Sequence, residues 1–213
     1  VRTAELERNV GRRLARLATN AVVARPRLWR FFRGPVRVQF DRLAPRWDAM
    51  RMPEAFAPLE QALDAVPEPV GRALDLGTGT GAGAFAIARR FPNAAVVGAD
   101  LSDQMLATAR GNTPPELASR IRFERADAAR LPYEDGSFEL VTLANMIPFF
   151  DELTRVIAPG GRVIFSFSAG PATPIWVPHE RLRSELGRRG FSEFADFRAG
   201  AGSALLARKE ERG

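Results

Sequence analysis

An apolar stretch from Val70 to Leu76 runs directly into Gly77-Thr78-Gly79-Thr80-Gly81, and an apolar, helix-forming segment from Ala82 to Phe91 follows. A buried strand that breaks into a glycine-rich turn and re-enters a helix constrains the fold more than any other feature of this chain. Glycines let the backbone turn sharply and let a ligand approach it closely. The unpaired N–H groups of the helix start then face that ligand. The pattern continues as strand and helix in alternation. Ala94 to Ala99 reads as a second strand ending at Asp100, with Ser102 and Asp103 able to cap a helix to about Arg110. Ile121 to Glu124 and Phe138 to Ala144 read as a third and a fourth strand, followed by a helix from Phe150 to Ile157. Pro159-Gly160-Gly161 reads as a turn, Val163 to Ser168 as a fifth strand, and residues 178–189 as an Arg-rich helix. Phe191 to Arg198 and Ser203 to Arg208, joined by Ala199 to Gly202, read as a closing antiparallel hairpin. The expected fold is α/β: a Rossmann-like, mostly parallel seven-stranded sheet with an antiparallel C-terminal edge hairpin and an N-terminal helical arm.

The arm is expected to cover residues 1–66, as a lid, and the Rossmann-like domain residues 67–213, with Pro67 and Pro69 at the boundary. Helical spacing of Leu6, Val10, Leu14, Leu17 and Ala18 predicts a first helix over residues 3–20. A second segment, Leu28 to Phe40, carries Trp29, Phe31, Phe32 and Phe40 and is expected to break at Gly34-Pro35. A third helix is expected from Pro53 to Val66.

Composition excludes several chemistries. There is no cysteine, hence no disulfide, thiolate site or cysteine nucleophile, and the single histidine, His179, rules out a multi-histidine metal site; no metal is expected. No stretch is apolar and long enough to span a bilayer, and no secretory signal is visible, so a cytoplasmic chain is expected. The net charge of +6 is uneven: residues 1–51 hold thirteen Arg against Glu5, Glu7, Asp41 and Asp48, a net +9, which leaves −3 for the rest. Lys209 is the only lysine, and such Arg bias also follows from a GC-rich genome. The arm suits a solvated helix face, a nucleic-acid contact or a peripheral membrane contact.

The glycine loop alone is ambiguous, because Gly77-x-Gly79-x-x-Ala82 also fits a dinucleotide fingerprint. Asp75, two residues before the first glycine, would repel a pyrophosphate but suits an ammonium. Asp100 at the second strand tip suits ribose hydroxyls in either case. Asp127, just after the third strand, can accept from an adenine amino group.

Taken with Phe40-Asp41-Arg42-Leu43-Ala44-Pro45-Arg46-Trp47-Asp48, Gly98-Ala99-Asp100-Leu101-Ser102, Arg125-Ala126-Asp127-Ala128, Leu131-Pro132, Asp135-Gly136-Ser137-Phe138 and Ala158-Pro159-Gly160-Gly161, the sequence resembles class I S-adenosylmethionine (SAM)-dependent methyltransferases, and more closely the ubiquinone/menaquinone methyltransferase group, over roughly residues 36–209. The resemblance implies SAM as cofactor. It places Gly77, Thr78 and Gly79 beneath the methionine part, Asp75 near its amino group, Asp100 on the ribose, Leu101 on the adenine face, Asp127 and Ala128 on the adenine edge, and Asn145 facing the reaction centre. The family often has Tyr-Asp where this chain has Trp47-Asp48, and Asp where it has Glu139.

The methyl acceptor is expected to be a hydrophobic small molecule, quinone-like or lipid-like, met by Phe40, Trp47, Phe149, Phe150 and Trp176. A base, where the acceptor needs one, is expected among His179, Asn145 and Asp48. Two other classes stay open: an RNA methyltransferase using the basic arm, and a non-catalytic SAM-binding protein. Against the first, Asn145-Met146-Ile147-Pro148 lacks an Asn-Pro-Pro-Tyr motif.

Overall fold

In a computed structural model the structure describes residues 13, 15–50, 52 and 54–211. One seven-stranded sheet runs in the order β3-β2-β1-β4-β5-β7-β6. Its strands are β1 (Arg72–Leu76), β2 (Ala95–Asp100), β3 (Ile121–Arg125), β4 (Phe138–Ala144), β5 (Ile157–Phe167), β6 (Phe191–Ala199) and β7 (Gly202–Lys209). β1 to β5 pair in parallel, while β7 runs antiparallel to both β5 and β6. The chain order reverses beside β1, so the β1 and β4 tips flank a crevice, the place where open α/β sheets bind ligands.

Strand alternation builds two apolar faces. Leu74, Leu76, Val141, Leu143, Val163, Phe165, Phe167, Leu205 and Ala207 point to one face. That face is covered by a helix over residues 15–24 (α1), the start of α2 (Trp29–Leu43), α7 (Phe150–Val156) and α8 (His179–Gly187). Ala73, Val96, Leu140, Ile164, Ala204 and Leu206 point to the other, beneath α4 (Ala57–Asp64), α5 (Ala82–Arg90) and α6 (Asp103–Gly111). The remaining helix, α3 (Trp47–Met50), is a single turn. At the far end of β1, Glu139 accepts from the backbone N–H groups of Gly71 and Arg72.

Three local expectations are corrected. Gly34-Pro35 does not break the arm, because α2 passes through it. Proline removes the bond to the carbonyl four residues back, that of Phe31, whose residue is 61% exposed, so water can take the vacated acceptor. Pro159-Gly160-Gly161 is not a separate turn between elements. It bulges within β5, where the register jumps from Phe138↔Ile157 to Leu140↔Arg162 and Gly160 takes a positive φ of 74°. α4 begins at Ala57 with Pro58 in its first turn, and Pro53 lies outside the described residues. α4 sits on β5, β6 and β7, whereas α2 reaches across to α6. Of the first expected helix, Leu6, Val10 and Leu14 lie outside the described residues, while Leu17 and Ala18 fall in α1.

Candidate cofactor and acceptor site

The glycine loop is built from beneath. Asp75 is buried, and its two oxygens accept from the hydroxyls of Thr78 and Thr142, each at 2.7 Å. A Cβ on Gly83 would lie 2.6 Å from Asp75 Oδ2, so the first turn of α5 rests on the carboxylate. Burial pushes the Asp75 pKa up; the Thr142 and Thr78 hydroxyls and the Ala84 N–H oppose this without cancelling it. Asp75 therefore faces inward, away from the cleft, with hydroxyls where an ammonium contact was expected. Thr78 turns toward Asp75 with it.

Above the loop, Gly77 and Gly79 have positive φ of 74° and 54°. The Gly79 N–H donates to Asp100 Oδ2 and the Ser102 N–H to Oδ1, both at 2.9 Å, so the β2 carboxylate is held by backbone donors from loop and helix cap. Burial raises the Asp100 pKa too, opposed by those N–H groups and that of Leu101. Ser102 caps α6 through its hydroxyl and donates it to Asp41 of α2 at 2.6 Å.

The arm crosses the cleft. The Trp47 indole lies over Gly79, its Nε1 3.6 Å from where a Cβ would stand, and Phe40 packs edge-on against Trp47 at 5.4 Å. Asp48 accepts from the Thr80 hydroxyl at 2.6 Å and from Asn112 at 2.9 Å, fastening α3 to the loop. Trp29 donates its indole N–H to Asp127 Oδ1 at 2.7 Å, and Arg33 reaches Oδ2 at 3.5 Å. The Ala129 N–H shares Oδ1 at 3.0 Å. Ala128 is buried beside them, and Leu101 is packed half-buried against the same core. Between α2 and this corner opens a groove of about 480 Å³, lined by Leu101, Asp127 and the arginines Arg33, Arg37 and Arg125.

From the β4 side, Met146 presses its thioether onto the loop: a Cβ on Gly77 would lie 2.6 Å from its Sδ. Asn145 adopts a positive φ of 51° and accepts through Oδ1 from the Ser168 N–H at 2.9 Å and hydroxyl at 3.2 Å. It ties the β4 tip to the end of β5 and caps no helix, since the N-cap of α7 is Phe149, with no side-chain cap. Phe149 packs edge-on against Trp29 at 5.4 Å, at the arm contact. Phe150 instead turns into the core against Phe165, with Arg189 over its ring. Trp176 packs on Phe167 at 4.8 Å beside His179, whose Nδ1 lies 2.6 Å from Asp196 Oδ1.

The structure thus gathers Gly77, Gly79, Asp100, Leu101, Asp127, Ala128, Phe40 and Trp47 around one cleft, with Asp75 and Thr78 supporting it from inside. Sequence reasoning missed Trp29 and Arg33 on Asp127, Met146 on Gly77, and the partners of His179. The aromatic spacing of the arm was the only signal for Trp29.

Comparison with known proteins fits this geometry. A family model described as a methyltransferase domain matches residues 73–161. A demethylmenaquinone methyltransferase from Roseiflexus castenholzii is 31% identical over 165 residues, covering 69% of this chain and 68% of that protein. The chain belongs to the class I SAM-dependent methyltransferases, among the ubiquinone/menaquinone type. A demethylmenaquinone methyltransferase from Thermus thermophilus is 39% identical over 140 residues, covering 59% of this chain and 62% of that protein. The chain therefore spans under two thirds of the length of that relative. Among solved structures, a putative methyltransferase from Haloferax volcanii, in complex with the Trm112 methyltransferase activator, superposes with a TM-score of 0.67 at 18% identity, over 81% of this chain and 98% of that one. A putative SAM-dependent methyltransferase from Methanococcus maripaludis superposes with a TM-score of 0.64 at 20% identity, over 81% and 94%. Both share the fold.

The site fits SAM on its own terms. Gly79 lies bare under the Trp47 indole and Gly77 under the Met146 thioether, the carboxyl group at the β2 tip is oriented by N–H donors, and a second carboxylate at the β3 end opens to a groove. Among the described residues, no group of three or more His, Asp or Glu could hold a metal, and no helix is long and apolar enough to cross a membrane.

Proposed function

We propose that this chain transfers a methyl group from SAM to a hydrophobic, quinol-like acceptor. The observation that carries the proposal is the bare Gly79 backbone held to Asp100 beneath the Trp47 indole, with Asp127 lining a groove at the end of the neighbouring β3. When bound, SAM supplies an electrophilic methyl group on a sulfonium. Asp100 would hold the ribose hydroxyls, and Asp127, released by Trp29, would hold the adenine amino group. Asp75 acts from below, fixing the loop for close approach. Trp47 and Phe40 exclude water above the reacting atoms. The arm, residues 1–66, is the lid, and its aromatic underside with Phe149 and Trp176 receives the acceptor. The names of the Thermus and Roseiflexus relatives support a quinone-type acceptor.

The test is direct. The chain is incubated with isotopically labelled SAM and either a short-prenyl demethylmenaquinol or total RNA. Label in the quinol is expected. Label in RNA alone, with RNA affinity that falls steeply with salt, would replace the small-molecule acceptor by a nucleic acid. SAM binding with label in neither would leave a cofactor-binding protein without this activity.

A further inference from the structure

The chain's single histidine lies between an acid and a hydroxyl contributed by other elements. His179 opens α8, Asp196 lies on β6 and Ser203 on β7. His179 Nδ1 is 2.6 Å from Asp196 Oδ1, and His179 Nε2 is 3.3 Å from Ser203 Oγ. Arg183, one helical turn on, donates to the other oxygen of Asp196. Burial pushes the Asp196 pKa up, but the bonds from His179 and Arg183 outweigh it and hold the acid below its usual value. Asp196 is therefore a carboxylate wherever an imidazole titrates. A carboxylate only accepts, so the proton of the neutral ring sits on Nδ1 and the lone pair on Nε2. This is the arrangement of an oriented base.

The array stands where an acceptor could meet it. Ser203 pairs with Phe167 at the end of β5, next to the Ser168 that Asn145 holds. It lies at the same end of the sheet as the glycine loop. The imidazole is only 13% exposed and is walled by Trp176, at 5.2 Å and 31°, and Phe167. Trp176, Met146, Ile147 and Phe32 are half-buried against one continuous apolar cluster, which joins this wall to the cleft beneath the arm. Arg16 of α1 fastens the arm there by donating to the carbonyls of Pro171 and Thr173 at 2.5 and 2.6 Å. Of the charged groups, Asp196 from β6 and Arg183 from α8 are bonded into the array; Glu180 follows His179 in α8, Arg16 from α1 is engaged by the Pro171 and Thr173 carbonyls, β5 contributes Phe167 to the wall, and Arg198 on β6 is the strand partner of Ser203. An acid, histidine and serine in series also suit acyl transfer. Ser203, however, lies inside a strand paired on both sides and is 7% exposed, so it is not presented as a nucleophile.

We propose that His179 is the general base that deprotonates the acceptor, with Asp196 as its positioning residue and Ser203 holding Nε2 until the acceptor's hydroxyl replaces it. The inference rests on the proposed function. The acceptor's O–H bond breaks and its proton moves to Nε2. The freed electron pair, on oxygen or on the conjugated ring carbon, forms the bond to the methyl carbon, and the methyl–sulfur electron pair stays on sulfur. For an oxygen acceptor the imidazolium then releases its proton to water. For a carbon acceptor the ring C–H proton leaves to water as the imidazolium returns a proton to oxygen. One proton is released in either case.

With one histidine, imidazole NMR is unambiguous. The expected ¹⁵N spectrum of the full chain with SAM shows Nδ1 protonated at neutral pH, and a short-prenyl demethylmenaquinol shifts the Nε2 resonance. The pH profile of kcat should have an acid limb at the measured His179 titration. His179→Gln should lower kcat about 100-fold or more and erase that limb, with SAM affinity unchanged, as expected for loss of a general base. Asp196→Asn, the second variant, should move the ring proton to Nε2 and lower kcat without a matching rise in KM. A His179→Gln variant within threefold of wild type, or an Nε2 resonance unmoved by saturating quinol, overturns the proposal even where product forms. A quinol that shifts Nε2 but is never methylated in wild type overturns the proposed function and supports the acceptor's place at His179.

Discussion

The two halves of the sheet hold their acids by different means. On the β1–β3 side, Asp100 is bound by backbone N–H groups and Asp75 by hydroxyls three residues on and on the adjoining strand. On the β5–β7 side, Asp196 is bound by an imidazole and a guanidinium, both side chains from α8. Backbone donors survive every substitution except proline and hold one geometry. Side-chain donors can be exchanged singly. Asp100 is thus fixed by the path of the chain itself, whereas Asp75 and Asp196 depend on side chains that can be retuned.

The largest effect should come from Asp75→Ala. It leaves the buried hydroxyls of Thr78 and Thr142 without their acceptor, at about 1–3 kcal/mol each, plus a cavity. Denaturant unfolding should show a loss of about 3 kcal/mol or more. A loss under about 1 kcal/mol would mean that the loop does not depend on its buried acid. Asp100→Ala should weaken SAM binding by about 1.5–3 kcal/mol in calorimetry, the range for bonds to a charged group, with the fold retained. Unchanged affinity would remove the ribose from β2.

The pH dependence follows from the raised pKa values of Asp75 and Asp100. Below the ordinary carboxylate pKa both acids are protonated, folded and unfolded alike, and cost nothing. As pH rises toward the raised folded values, only the unfolded chain has released its protons, so each acid lowers stability by at most about 1.4 kcal/mol per pH unit, and the loss levels off above the folded pKa. Asp75→Asn should flatten this slope in urea titrations run at several pH values. A slope left unchanged by Asp75→Asn would contradict the raised pKa of that acid. The smallest effect belongs to Trp29→Phe, which keeps the ring but removes the N–H that occupies Asp127. SAM affinity should rise by about 1 kcal/mol, the worth of one hydrogen bond. A fall instead would place the indole N–H in the bound state.

The same contrast decides what was legible in the sequence. The glycine loop, Asp100 and Asp127 stand at strand ends within one βαβ pattern, where spacing alone aligns them. The inward turn of Asp75 was not legible, because it depends on Thr142 in another strand and on the close approach of Gly83. His179 was singled out as a lone titratable group, but Asp196 and Ser203 lie 17 and 24 residues away and meet it only through the hairpin register. The extension of β5 through Pro159-Gly160-Gly161 escaped for a related reason: proline and glycines mark turns locally, while a bulge is defined by the partner strand. The passage of α2 through Gly34-Pro35 shows packing overriding a local breaker.

The contact between Gly83 and Asp75 has a consequence for how this chain can change over time. A methyl group at position 83 has no room while the carboxylate stands, and a smaller residue at 75 strands two threonines. Position 83 is therefore held by the acid, and the acid by its two threonines. A lineage could enlarge residue 83 only after losing the acid, and lose the acid freely only after replacing the threonines, so change here should run in that order, whatever molecule the rest of the protein comes to act upon.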